Sequence, residues 1–196
     1  MNGFVLAGGR STRMGQDKAL LPYAGRPLVE HAVQLLRAVG LEPHILGNRH
    51  DLSTCAPVME DLHPACGPLG GIEAALTSSN SDWNVFVPVD LPLLPPTFLR
   101  YLIERSTITG AAATIPTVAG RPNPLCAVYH RSLLAAVSRV IAAGNNKVID
   151  VVAADSAADL FSVEAVAATR EDWPVTPPLH LWFQNLNTRE DMWLIS

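Results

Sequence analysis

The chain has 196 residues, a formal net charge of −4, 48% apolar residues and only 16% charged ones. That length and apolar share suit one α/β domain whose buried sheet is covered by helices on both faces. The negative balance argues against a nucleic-acid surface, and no apolar run approaches the ~18 residues that a membrane helix needs. Cys55, Cys66 and Cys126 are odd in number, scattered and without metal-ligand spacing, as expected of reduced thiols in a cytoplasmic protein. Met1-Asn2-Gly3 leads at once into a strand, which leaves no room for a signal peptide.

The first predicted element is a short apolar strand, Gly3 to Leu6. It runs into Ala7-Gly8-Gly9-Arg10-Ser11-Thr12-Arg13-Met14-Gly15-Gln16-Asp17-Lys18. The glycines at 8, 9 and 15 permit tight turning and let a ligand approach the backbone N–H groups. Successive N–H groups form a concavity for anions, and Arg10, Arg13 and Lys18 add full charges. Such a loop can hold a polyphosphate; the bland reading is a glycine-rich surface turn beside solvated charges. The spacing is not the Walker type, because five residues separate Gly9 from Gly15 and the lysine comes three later. Nor is it the G-x-G-x-x-G dinucleotide turn. Arg10, Arg13, Lys18 and Arg26 against Asp17 give the first 26 residues a local charge of +3. Lysine is rare here, two against twelve arginines, and its compact ammonium suits a point contact to phosphate.

Downstream, strand and helix signals alternate. Ala19 to Tyr23 is a short apolar segment turned by Ala24-Gly25. Pro27 opens a helix with the apolar stripe Leu28, Ala32, Leu35, Leu36 and Val39, and Gly40 stops it. Pro43 to Leu46 reads as the second strand, Val58 to Glu60 as the third, and Pro68 to Ser79 as a helix. Trp83 to Val89 is a buried central strand, followed by a helix from Pro96 to Arg105. Ala111 to Pro116 and Leu125 to Tyr129 read as strands flanking Gly120-Arg121-Pro122-Asn123-Pro124, and Leu133 to Ala143 as a helix ended by Gly144. Leu181 to Gln184 reads as the last strand, and Thr188 starts a terminal helix with Glu190 and Asp191 in its first turn.

No linker or repeat divides residues 1–196. The expected fold is therefore α/β and single-domain, a doubly wound, mostly parallel sheet with its ligand crevice at the strand carboxyl ends. Asp90 ends the most apolar strand, just before Leu91-Pro92. It faces that crevice either as a hard ligand for Mg²⁺ or as the cap of a turn. Asn48 and Asp61 end neighbouring strands, either as nucleotide contacts or as turn residues.

The run L-A-G-G-x-x-x-R-M-G-x-x-K, matched at eight specified positions from Leu6 to Lys18, resembles the signature loop of nucleotidyltransferases that activate sugars, polyols and cofactors. Within that group it is most similar to the molybdenum cofactor guanylyltransferases. The resemblance implies a Rossmann-like fold of the nucleotide-diphospho-sugar transferase type. It further implies transfer of GMP from GTP to the terminal phosphate of molybdopterin, with release of pyrophosphate. Leu6, Ala7, Gly8, Gly9 and Lys18 would hold the triphosphate, and Asn48, Asp61, Gly67 and Asp90 would complete the nucleotide site. Arg13, Lys18 and Asp90 are the implied catalytic groups. Mg²⁺ is the implied cofactor, on Asp90 and on Asn187, which is equally suited to cap the final helix.

Arg121, Asn123 and Lys147 mark the implied acceptor side. Asn123 stands where the family has a histidine, so no cation is expected there, and Lys147 either reaches the acceptor phosphate or faces solvent. Trp173, Trp182 and Trp193 read as packing, and the histidines share no ligand spacing. The nucleophile is a phosphate with a second pKa near ~6, so no side-chain base is needed. The implied partners are the two substrates and proteins that deliver or collect the cofactor, with neither nucleic acid nor membrane, and the chain is expected as a monomer or weak oligomer. A CTP-using molybdopterin transferase, a sugar-phosphate nucleotidyltransferase and a non-catalytic nucleotide-binding regulatory module are the other readings. Ala7-Gly8-Gly9 favours guanine over the first, the short chain weighs against the second, and the intact Lys18 and Asp90 weigh against the third.

Overall fold

The computed structural model describes residues 1–8, 17–153, 158–186 and 191. In chain order these form β1 (Asn2–Leu6), a short 3₁₀ turn at Lys18–Leu20, β2 (Pro22–Tyr23), β3 (Arg26–Pro27), α1 (Leu28–Ala38), β4 (Pro43–Leu46) and β5 (Val58–Met59). There follow α2 (Pro68–Ser78), β6 (Trp83–Pro88), α3 (Pro96–Thr109), β7 (Ala113–Val118), β8 (Arg121–Pro122), β9 (Ala127–His130) and α4 (Leu134–Ala142). The last elements are α5 (Val148–Ala153), β10 (Ala158–Ser162), α6 (Val163–Ala167) and α7 (Leu179–Trp182).

The main sheet runs β10-β7-β9-β6-β1-β4-β5, with β8 added beside β7. β1 pairs parallel with both β4 and β6, and β4 with β5, whereas β9 runs antiparallel between β6 and β7. The central strands β1, β4 and β6 are largely apolar and buried because both of their faces are covered. Their alternating residues divide the core in two. Val5, Val85 and Val87 pack with Leu28 and Leu36 of α1 and with Phe98 and Leu102 of α3. Phe4, Leu6 and Phe86 pack on the other side with Leu69, Ile72 and Leu76 of α2, Val137 of α4 and Val151 of α5. This is the expected doubly wound, mostly parallel arrangement.

Several local readings change. The segment Leu181 to Gln184 is no strand. It overlaps α7, where Trp182 is 1% exposed, packs against Phe98 and Trp173, and donates its indole N–H to Pro177 O at 2.8 Å. A run as short as Leu-His-Leu-Trp-Phe carries no decisive period, and burial of Trp182 decided its state. β10 is an edge strand absent from the sequence reading. It is held in register by β7 and by the Arg105–Asp159 pair, with Nε–Oδ2 at 2.6 Å and Nη2–Oδ1 at 2.9 Å. The helix from Pro96 continues past Arg105 to Thr109, because the first breaker is Gly110, which adopts the left-handed conformation (φ 64°). Ala24-Gly25 and Ala119-Gly120 both turn hairpins with positive φ at each residue.

Candidate active site

The parallel topology brings the carboxyl ends of β1, β4, β5 and β6 to one edge. A crevice of about 150 Å³ opens there, lined by Leu6, Gly8, Lys18, Asp61, Gly67 and Asp90 among others. Six of the expected nucleotide residues therefore meet at one place, although they are spread in sequence from Leu6 to Asp90. Ala7 is buried directly behind Gly8. Gly9, Arg10, Arg13, Gly15 and Asn187 lie outside the described residues, so the expectations placed on them are not addressed by this geometry.

Backbone contacts set the shape. Val89 N–H donates to Leu6 O at 3.2 Å, which extends the β1–β6 pairing to the lip of the crevice. Gly47, with φ +116°, brings β4 against β1 so closely that a Cβ there would stand 3.1 Å from Gly8 Cα and 3.3 Å from Gly8 N. Glycine is required on both counts. Gly71, one turn into α2, faces Asp61 in the same way, since its Cβ would lie 3.1 Å from Asp61 Oδ1. The first turn of α2 carries no side-chain cap and opens on the crevice at Gly67 and Pro68. The positive end of the helix dipole favours an electron-rich ligand group there.

The charged groups face one another across this floor. Lys18 Nζ is ion-paired with Asp90 Oδ2, and Asp90 is 9% exposed. Asp90 also accepts Leu186 N–H on its backbone oxygen at 3.0 Å, so the chain returns to the crevice immediately before residue 187. Asn48 is exposed, and its Oδ1 accepts the backbone N–H of Asp61 at 3.3 Å, which joins the ends of β4 and β5. Burial raises the pKa of Asp61 above the ordinary carboxylate range. Among the described residues no cluster of three or more His, Cys, Asp or Glu is grouped to hold a metal. The carboxylates that line the crevice are Asp61 and Asp90, and of the two Asp90 is the one paired with Lys18.

The acceptor-side candidates stand apart. Arg121 is exposed on β8, and its carbonyl accepts the Asn123 side-chain amide at 3.1 Å. Asn123 N–H donates to Pro116 O, and Cys126 N–H to Asn123 O, so Asn123 closes the hairpin that delivers Leu125 to the crevice wall. Lys147 is exposed, with its backbone N–H on Asn145 Oδ1 at 3.0 Å. None of these three lines the crevice, although Asn146 reaches Ala65 O at 3.5 Å in the turn just before Gly67. The sequence reading passed over Arg49 and Asp17, whose side chains meet beside the site with Nη2–Oδ2 at 2.5 Å. The only signal for this pair was an arginine in the segment that also holds Asn48.

An open α/β sheet with a glycine-rich first loop, a lysine–aspartate pair and a helix N-terminus at its carboxyl edge defines a nucleotidyltransferase. Residues 3–159 match the MobA-like NTP transferase domain, and the chain belongs to that family. It is 33% identical over 197 residues to the molybdenum cofactor guanylyltransferase of Serratia proteamaculans, covering 97% of this chain and 91% of that protein. With the molybdenum cofactor guanylyltransferase of Xanthomonas euvesicatoria it shares 47% identity over 106 residues, 53% of this chain and 54% of that one. The solved structure of molybdopterin-guanine dinucleotide biosynthesis protein A from Archaeoglobus fulgidus superimposes with a TM-score of 0.81 at 25% identity, covering 100% of this chain and 96% of that one.

Proposed function

We propose that this protein transfers GMP from GTP to the terminal phosphate of molybdopterin, releasing pyrophosphate and forming the guanine dinucleotide cofactor. The observation that carries the reading is the Lys18–Asp90 pair at the floor of the crevice, beside Gly8 and the open N-terminus of α2. One oxygen of the molybdopterin phosphate attacks the α-phosphorus of GTP, and the bond to the β-phosphate bridging oxygen breaks. The attacking phosphate is already ionised, so the chain has to bring two anions together rather than remove a proton.

Each group has a task in that step. Backbone N–H groups at Ala7 and Gly8 face the triphosphate. Lys18 exchanges its contact with Asp90 for phosphate oxygens and offsets the charge that builds on the leaving group. Asp90, thereby released, is a hard oxygen donor beside the substrate phosphates, the donor set that Mg²⁺ takes. When bound, that ion would neutralise phosphate charge and polarise the α-phosphorus. Asn48 and Asp61 present an amide and a carboxylate to the guanine edge. Arg121, Asn123 and Lys147 lie on the side left for the pterin. Three cysteines without a disulfide partner support a reducing, cytoplasmic setting, and among the described residues no helix is long and apolar enough to cross a membrane.

The test is GMP transfer and pyrophosphate release by the purified protein with GTP and molybdopterin. Asp90→Ala and Lys18→Met are each expected to lower kcat by about 10²- to 10³-fold, the usual cost of one preorganised electrostatic group. EDTA should stop turnover, and added Mg²⁺ should restore it. Near-normal transfer by either variant overturns the assignment of roles, and CTP acting better than GTP overturns the choice of base.

A further inference from the structure

Arg49 is a cation with only 5% of its surface exposed. A guanidinium so buried is tolerated only when its donors are matched, and here they are matched twice. Nε and Nη2 donate to Asp51 at 2.9 and 2.7 Å, and Nη1 and Nη2 donate to Asp17 at 3.1 and 2.5 Å. The planar fork of arginine meets two carboxylates in this way, which an ammonium cannot do. Asp17 has a second task, because its Oδ1 also accepts Ala19 N–H at 3.1 Å and so caps the turn Lys18–Leu20. One carboxylate is thus tied at once to Arg49, 32 positions away, and to the turn that carries Lys18.

We infer that Arg49 is the positioning residue of the phosphate site: it fixes Asp17, and through Asp17 the turn that carries Lys18, so that the ammonium already stands at the crevice floor when nucleotide arrives. This rests on the role proposed for Lys18 above. The geometry has a further consequence. Arg49 is the chain neighbour of Asn48, which bonds to Asp61 N–H, so the base side and the phosphate side of the crevice share one short segment after β4. Prealignment of this kind acts on the reacting geometry, where an error of one ångström can cost about 10²-fold in rate.

Substitutions separate this role from simple stabilisation. Asp17→Asn retains an N-cap, at which Asn equals Asp, but gives up the charged pair with Arg49. Arg49→Lys retains a cation and gives up the fork. Both are compared with Lys18→Met and with the Asp17→Asn/Lys18→Met double variant, with thermal melts to establish folding. The expected result is a fall in kcat of about 10-fold or more for Asp17→Asn and Arg49→Lys, while KM for GTP changes less than about threefold. In the Lys18→Met background Asp17→Asn should add almost nothing, because the residue through which it acts is gone. If Arg49→Lys melts early, Asp17→Asn alone decides the cycle. Multiplicative losses in the double variant, or an unchanged kcat in Asp17→Asn, overturn the inference while leaving the proposed function standing. A fully active Lys18→Met instead overturns the proposed role of the lysine, and the inference with it.

Discussion

Asp61 is a carboxylate held in the crevice at a cost to the fold. Its pKa is raised because burial disfavours the charged form. For an acid whose folded pKa lies above its unfolded value, stability is fully present below the unfolded pKa and is lost as pH rises through the folded one. Ionised Asp61 therefore weakens the fold at neutral pH. Asp61→Asn is expected to be at least as stable as the parent at pH 7, and the difference in Tm should shrink toward zero as melts are repeated down to the range of the unfolded pKa. The same variant should bind GTP more weakly by isothermal titration, because an acceptor of the crevice has been removed. Gly47 illustrates the opposite case, a residue defined by space. Gly47→Ala places a side chain at φ +116° and against Gly8, so a loss of about 1–3 kcal/mol, read by urea unfolding, should accompany impaired GTP binding.

At the scale of elements, the two hairpins β2–β3 and β7–β8 turn on Ala-Gly with both residues at positive φ, 45° and 82° in the first and 48° and 72° in the second. Such turns match the twist of the flanking strands but favour Asn-Gly, because alanine is strained there. Ala24→Asn is expected to raise stability by roughly 0.5–1 kcal/mol, given the ~1–2 kcal/mol that a left-handed residue costs, and thermal melts will read it. Ala119→Asn should gain in the same way, provided the bond from Ala119 N–H to Glu164 Oε1 at 2.7 Å survives. In α2 the backbone itself is the constraint. A Cβ at Gly70 would come 2.6 Å from His63 O, so Gly70→Ala has to push away the turn before Gly67 and should weaken both the fold and the nucleotide site. The substitution probes whether that turn holds the helix N-terminus in the crevice.

For the whole molecule, the crevice joins strands from the first half of the chain with a segment near its end, through Leu186 N–H on Asp90 O. A ligand bound there ties together parts that are remote in sequence and should stabilise the fold globally. At a GTP concentration about 100-fold above Kd the gain is about 2.7 kcal/mol, a Tm shift of about 5–10 °C for a protein of this size. Thermal shifts with GTP, CTP, UTP and ATP, each with Mg²⁺, are expected to show that rise for GTP alone.

The run from Leu6 to Lys18 and the Asp90-Leu91-Pro92 stop were legible because each is local: a few neighbouring residue types whose chemistry does not depend on the rest of the fold. The alternation of apolar strands and amphipathic helices likewise announced a doubly wound sheet, since period and burial are linked wherever both faces are covered. Other features have no local signature. Arg49 meets Asp17 because β4 lies beside β1, and Gly47 is needed both for its positive φ and because Gly8 comes within contact of it. The antiparallel β9, the edge strand β10 and the helical state of Leu179–Trp182 were set by pairing and by burial of Trp182. Nearest-neighbour chemistry is written in the order of residues, whereas contacts between distant segments exist only once the chain has closed on itself.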